Sequence, residues 1–269
     1  MATAASPISR AAATPAPPRP RNRPAPSPCS SGYSTAKCRK LRIFSQGCQL
    51  DAGGLPVEWL NAVSAAQSVA LLAGLIGSEP ALASSATAAI ALTAGSAAER
   101  ALESLAAAPA PEVVRERAVF WLGSQRGHPG FLALQRLDRA SASVPLRKRI
   151  AFALAQSHDP AALSELIRMA KLDARPSVRS QALFWLLQKA GRQAEAAITD
   201  AVRNDPDTAV KRRAVFGLSQ LPHAQGVPLL IQVAQTNPNP AVRRQAMFWL
   251  GQSQDPRAIA FFQKILAKP

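Results

Sequence analysis

Histidine, cysteine and tyrosine are scarce in this 269-residue chain, with three, three and one copies. None of the histidines (His128, His158, His223) is followed by Glu, and each falls between the two helices of a different repeat described below. All three cysteines (Cys29, Cys38, Cys48) lie in the first 50 residues, with eight and nine residues between them. Those intervals fit neither a zinc spacing nor a CxxC redox pair. No glycine-rich phosphate loop and no GxSxG nucleophile motif occur. The sequence offers no catalytic constellation, metal site or cofactor site, so a non-enzyme is expected.

Long apolar runs are missing as well. The longest, Val69–Ile76, has eight residues, against about 20 for a membrane-spanning helix. It begins deep in the chain behind Asp51 and Glu58 rather than behind a basic segment, which fits a helix of the fold better than a signal peptide cleaved after Ala81–Ala83. Acids are absent from residues 1–50, which hold eight Lys and Arg. Residues 51–110 reverse the balance with five acids and one base, and residues 111–269 carry 23 bases and 11 acids. A basic surface of this kind favours an acidic protein or nucleic acid as partner.

Residues 1–52, rich in Pro, Ala, Ser and Arg, read as a disordered tail, because so little apolar surface cannot offset chain entropy. A transit peptide or an upstream mis-called start would look the same. The compartment stays open between cytoplasm, export and an organelle.

What the chain does contain is a period. Phe120, Phe152, Phe184, Phe216 and Phe248 are each 32 residues apart, and a Leu follows two places after every one. The frame extends back to Ile90-Ala91-Leu92 and to Trp59-Leu60, giving seven units that begin near 53, 85, 115, 147, 179, 211 and 243. Each unit is expected to form two helices. Asp207 and Asn239 would cap first helices, and Asp159-Pro160 and Asp255-Pro256 would start second ones. Asp205 belongs to the same turn chemistry as Asp207 rather than to a catalytic pair.

The stretches VRERAVFWLG (Val114–Gly123), VRSQALFWLL (Val178–Leu187), VKRRAVFGLS (Val210–Ser219) and VRRQAMFWLG (Val242–Gly251) resemble HEAT-like repeats of the phycobilisome-lyase type. LRKRIAFALA (Leu146–Ala155) fits less strictly. The ankyrin signature is absent, and the Trp-to-Leu-Gly spacing of tetratricopeptide repeats does not occur. The resemblance implies an all-α fold, a right-handed α-α superhelix (solenoid) of about seven two-helix repeats, with the first helices lining a concave face.

Counting from the leading base of each unit (Arg115, Arg147, Arg179, Lys211, Arg243), a helical wheel puts the fourth, fifth and eighth residues on one core stripe. The leading base itself reads as structural. The seventh residue flanks the stripe and alternates down the array as Trp59, Ala91, Trp121, Ala153, Trp185, Gly217, Trp249. Large-small alternation reads as packing between units in preference to an aromatic ladder for ligands or bases. The sixth residue, always Phe from unit 115 onward, points away from the stripe. Either the rings close the stack or they form a binding row. Phe120, Phe152, Phe184, Phe216 and Phe248, with Arg117, Arg149, Arg213 and Arg244 and with Gln156, Gln188, Gln220 and Gln252, are the candidate partner-binding residues. Lys148, Arg149 and Arg212 come from the same outward positions. Aromatic anchors among guanidinium and amide groups suit an extended or acidic protein segment.

The function expected is a non-catalytic protein-interaction scaffold without a cofactor. Two alternatives stand beside it. One is a nucleic-acid-binding protein, since HEAT-like DNA glycosylases cradle a duplex. The other is an enzyme-associated subunit such as those of phycobilin lyases. The His-Glu pairs that hold iron in the HEAT-like deoxyhypusine hydroxylase family are absent.

Overall fold

The computed structural model describes residues 38, 40–44, 48, 51, 53–54, 62–107 and 109–267, apart from the side chains of 190–193. Met1–Lys37 form one unit of the chain and Cys38–Pro269, which hold every described residue, form the other. The tail and targeting readings of residues 1–37, with Cys29, and the Trp59-Leu60 repeat lie outside the described residues. Leu41, which the sequence places in the tail, packs against the hydrophobic core.

The described residues fold into helices alone, twelve α-helices and a short 3-10 turn, Pro80–Leu82. Helix α1 (Ala65–Ser78) precedes the pairs α2 (Ala83–Leu92) with α3 (Ser96–Ala107), α4 (Glu112–Gln125) with α5 (Gly127–Ala140), and α6 (Val144–Gln156) with α7 (Ala161–Leu172). Helix α8 (Pro176–Asn204) follows, then α9 (Thr208–Ser219) with α10 (His223–Thr236) and α11 (Pro240–Gln252) with α12 (Pro256–Leu266). First helices stack on first helices, from α2 through α4, α6, α8 and α9 to α11. Second helices form a parallel layer, with α1 against α3, α3 against α5, α5 against α7 and α10 against α12. This is the α-α solenoid that the repeat period implied.

The core stripe is where the wheel puts it. Ala118, Val119 and Leu122 are fully buried, as are Ile150, Ala151 and Leu154, and the corresponding residues of α8 and α9 are equally enclosed. Turn chemistry also matches. The Asp207 carboxylate accepts the backbone N–H groups of Ala209 and Val210, and Asn239 accepts that of Ala241. Asp159 accepts Ala161 N–H and Asp255 accepts Arg257 N–H. The Asp255 carboxyl is held down at about 2, chiefly by its hydrogen bonds with the Arg257 side chain and backbone.

Three features depart from the sequence reading. In the unit near 85 helix α2 buries Ala83, Ala86, Thr87, Ile90 and Ala91, so Ile90 takes the eighth place rather than the sixth, Ala91 the ninth rather than the seventh, and Leu92 is exposed. The frame there begins two places earlier, and one full repeat then separates Ile90 from Leu122. A polar residue hid the stripe: Thr87 sits in the core because its hydroxyl donates to Ala83 O at 2.7 Å. Second, the unit near 179 is one continuous helix of 29 residues, α8. Its middle, LLQKAGRQAEAA, has no Pro, Asp or Asn to stop it, and a lone Gly costs a helix only about 1 kcal/mol. Third, His128 and His223 lie in the first turns of α5 and α10, and only His158 lies between helices. His128 Nδ1 meets Asp159 of the next unit at 2.8 Å.

Four of the five leading bases have structural partners; Arg115 differs, its Nε being buried with no hydrogen-bond partner. Arg147 bridges Asp138 and Asp173 at 3.0 and 2.8 Å, and Arg179 forms a two-pronged pair with Asp205 at 2.7 and 2.9 Å. Arg179 also donates to Asp173 O, Arg243 to Asn237 O, and Lys211 to Arg203 O. These rungs tie the first helices to the turns that join units. Buried pairing of this kind raises the Arg179 guanidinium above its ordinary value, the Asp205 hydrogen bonds being the main cause.

Candidate functional site

The candidate residues lie along the first helices or, as with Gln220, at the end of one. Phe120, Phe152, Phe184 and Phe216 are half-buried, while Phe248 is 54% exposed. Each Phe is followed at i+4 by a Gln in the units from 147 onward: Gln156, Gln188, Gln220 and Gln252. All four are exposed. One helical turn separates them from the rings, so amide and ring share a face.

The rings form a nearly continuous row. Phe120 stacks on Phe152 at 6.1 Å between centroids, and Phe152 meets Trp185 of the next unit at 4.8 Å. Two units further on, Phe216 meets Trp249 in the same tilted way at 5.3 Å. Between these stretches the Arg213 guanidinium lies over both Phe184 and Phe216, at 4.9 and 5.2 Å from their centroids. The Phe side chains therefore close the stack and line its surface at once.

The same contacts explain the alternating seventh residue more sharply than a large-small match across one gap. A Trp at this place rests on the Phe of the preceding unit, as Trp185 and Trp249 do. A small residue is needed in the next unit because the ninth residue of the Trp unit approaches it closely. A Cβ on Gly123 would overlap the carbonyl oxygen of Ala153, and one on Gly217 would lie 3.1 Å from the Leu187 side chain. Two kinds of junction thus alternate. The Trp rings are half-buried rather than enclosed, and the indole N–H groups of Trp185 and Trp249 are buried without an acceptor. An unmet donor costs roughly 1–3 kcal/mol, which reduces what each ring contributes.

Both layers mix paired and unpaired bases. On the second helices, Arg136 pairs with Glu103, Arg168 with Asp138 and Glu165, Lys171 with Asp200, and Arg257 with Asp255, while Arg100, Arg139, Arg203 and Lys264 meet no carboxylate among the described residues. On the first helices, Arg117, Lys148, Arg212, Arg213 and Arg244 meet no carboxylate among the described residues. The leading bases Arg147 and Arg179 pair with the aspartates already described, and Arg149 with Glu116 of the preceding unit. Sequence reasoning missed that pair, whose members lie about one repeat apart along the chain. A search for opposite charges at that spacing would have found it. It would also have found Arg136–Glu103, which is spaced in the same way.

Two open clefts lie along the first helices. One, of about 400 Å³, is lined by Lys148, Arg149, Phe152, Gln181 and Trp185 among others. The other, of about 420 Å³, is lined by Arg212, Ala241, Arg244, Gln245 and Phe248. Two further bases reach across units without joining this surface. Arg126 donates to Ala91 O, Thr93 O and Gly95 O at the end of α2, and Lys189 donates to Leu154 O and Ser157 O at the end of α6. Burial lowers the Lys189 ammonium below its ordinary value. Nothing in the sequence pointed to these caps, because they are made to main-chain oxygens about one repeat away; Arg126 also pairs with the Glu99 carboxylate.

Residues 195–269 match the sequence family of HEAT repeats. No curated protein matches the chain. Among solved structures, the chain is similar to human deoxyhypusine hydroxylase in complex with glycerol, at 19% identity and a TM-score of 0.33, over 75% of this chain and 78% of that one. No helix among the described residues is long and apolar enough to cross a membrane.

Proposed function

We propose that this HEAT-repeat array is a non-catalytic scaffold that holds an extended, acidic segment of another protein along its first helices. The observation that carries this reading is the set of outward bases on the first helices. Lys148, Arg212, Arg213 and Arg244 meet no acid among the described residues and stand beside aromatic rings or amides, whereas the inward Arg147 and Arg179 are held by aspartates. Unpaired guanidinium groups present donor forks that match carboxylates, and Gln side chains can pair with the backbone of an extended chain.

The buried acids support the non-catalytic part of the reading. Asp138, Asp173 and Asp205 are committed to arginines, and Asp159 and Asp255 to helix starts. For the nucleic-acid alternative, single strands need free aromatic faces on which bases stack. Here most faces are taken: Phe120 by Phe152, and Phe184 and Phe216 by Arg213.

The test is affinity capture on the full chain, comparing wild type with Arg212→Glu/Arg244→Glu. Neither side chain is enclosed in the core, so melting is expected to stay unchanged while acidic protein partners are lost from the eluate. Equal recovery of the same partners by the double variant would overturn the reading.

A further inference from the structure

The two clefts are related by the superperiod. Lys148 and Gln181 line the first, and Arg212 and Gln245 line the second at the equivalent places two units further on. The junction beneath them repeats too, Phe152 against Trp185 and Phe216 against Trp249. The array thus carries the same basic-amide station twice, and the unit between Lys148-Arg149 and Arg212-Arg213, which lends Gln181 to the first station, has Ser180-Gln181 where those units have two bases. Neighbouring helices pack about 8–10 Å apart, so two steps place the stations roughly 16–20 Å apart. An extended peptide advances about 3.3 Å per residue, which makes that distance about five or six residues.

We infer that the partner segment carries two acidic clusters about six residues apart, one for each station. This rests on the scaffold reading above and adds a spacing to it. The stations are unequal. At the second, Arg212 donates only to the Gln245 side chain at 3.1 Å, Arg244 has no acidic neighbour, and the exposed Phe248 can take an apolar side chain next to the acid. At the first, Glu116 already occupies Arg149. The second station is the anchor, and the first is a weaker contact that competes with an internal carboxylate.

Fluorescence anisotropy on the full chain tests this with four synthetic probes. Three are Gly-Ser peptides bearing two Asp-Glu pairs whose centres are three, six or twelve residues apart, and the fourth is a peptide with a single pair. The six-residue spacing is expected to bind about tenfold tighter than the single pair, because the second contact becomes intramolecular. The three-residue spacing should gain little. Lys148→Glu should remove the tenfold advantage and leave single-pair binding intact. Glu116→Gln should strengthen the six-residue probe severalfold by freeing Arg149, an effect that a merely structural Glu116 would not give. Equal affinity at all three spacings overturns the two-station inference and leaves the acidic-segment reading standing. Binding of an oligothymidylate with no binding of any peptide overturns both.

Discussion

Phe-Trp-Leu-Gly occurs twice, at 120–123 and at 248–251, and the two copies have different surroundings. In the first, Phe120 stacks on the next unit and Gly123 is pressed against the backbone of Ala153. In the second, Phe248 is 54% exposed and a Cβ on Gly251 would meet nothing within 4 Å. Among the described residues, one motif therefore makes a tight seam where the next unit packs on it and a more open surface where no described unit does. In a solenoid each repeat touches only its neighbours, so the role of a residue is set by the junction it faces.

Substitutions can sharpen that contrast. The largest effect is expected at the Trp residues. Trp185 has described units on both sides, and Trp185→Ala should cost about 3 kcal/mol in chemical denaturation. Trp249→Ala, with a described unit on one side only, should cost about 2 kcal/mol. Equal losses would show that the ring is stabilised within its own unit alone. Next comes the Phe row: Phe152→Ser removes contacts to both Phe120 and Trp185 and should cost about 2 kcal/mol, against less than about 1 kcal/mol for Phe248→Ser. The glycines should give the smallest shifts, of opposite sign. Gly123→Ala must displace backbone and should destabilise by about 1.5 kcal/mol. Gly251→Ala, in an open helical position, should stabilise by about 0.5–1 kcal/mol. If both alanines raise the melting temperature, the seam at Gly123 is looser than the close approach of Ala153 O implies.

How much of this was legible in the sequence depends on the range of the signal. Local signals read well. The stripe Ala118, Val119 and Leu122 follows from helical periodicity, and the caps at Asp207 and Asn239 follow from side-chain chemistry within three residues. The frame slipped near residue 90 because Thr87 is polar yet buried, and apolarity was the guide. The break expected inside α8 was taken from the other units, although the stretch around Gln188 has none of their punctuation. The candidate row was placed away from the core stripe by the wheel, and its Phe rings are half-buried or exposed. Its contacts were beyond the reach of a wheel, since Arg213 over Phe184 and Glu116 on Arg149 depend on how one unit lies on the next.

The rungs made by the leading bases bear on how the array comes apart. Asp138, 1% exposed, has its two oxygens held by Arg147 and Arg168, both of the following unit. Peeling that following unit away would strand the carboxylate without a counter-ion, and stranding one partner of a buried pair costs about 3–5 kcal/mol. Fraying that starts at one unit is thereby penalised at the next. Around these rungs the repeats are bound into one cooperative block, and hydrogen exchange there should report a single shared opening energy rather than a staircase, one step per repeat.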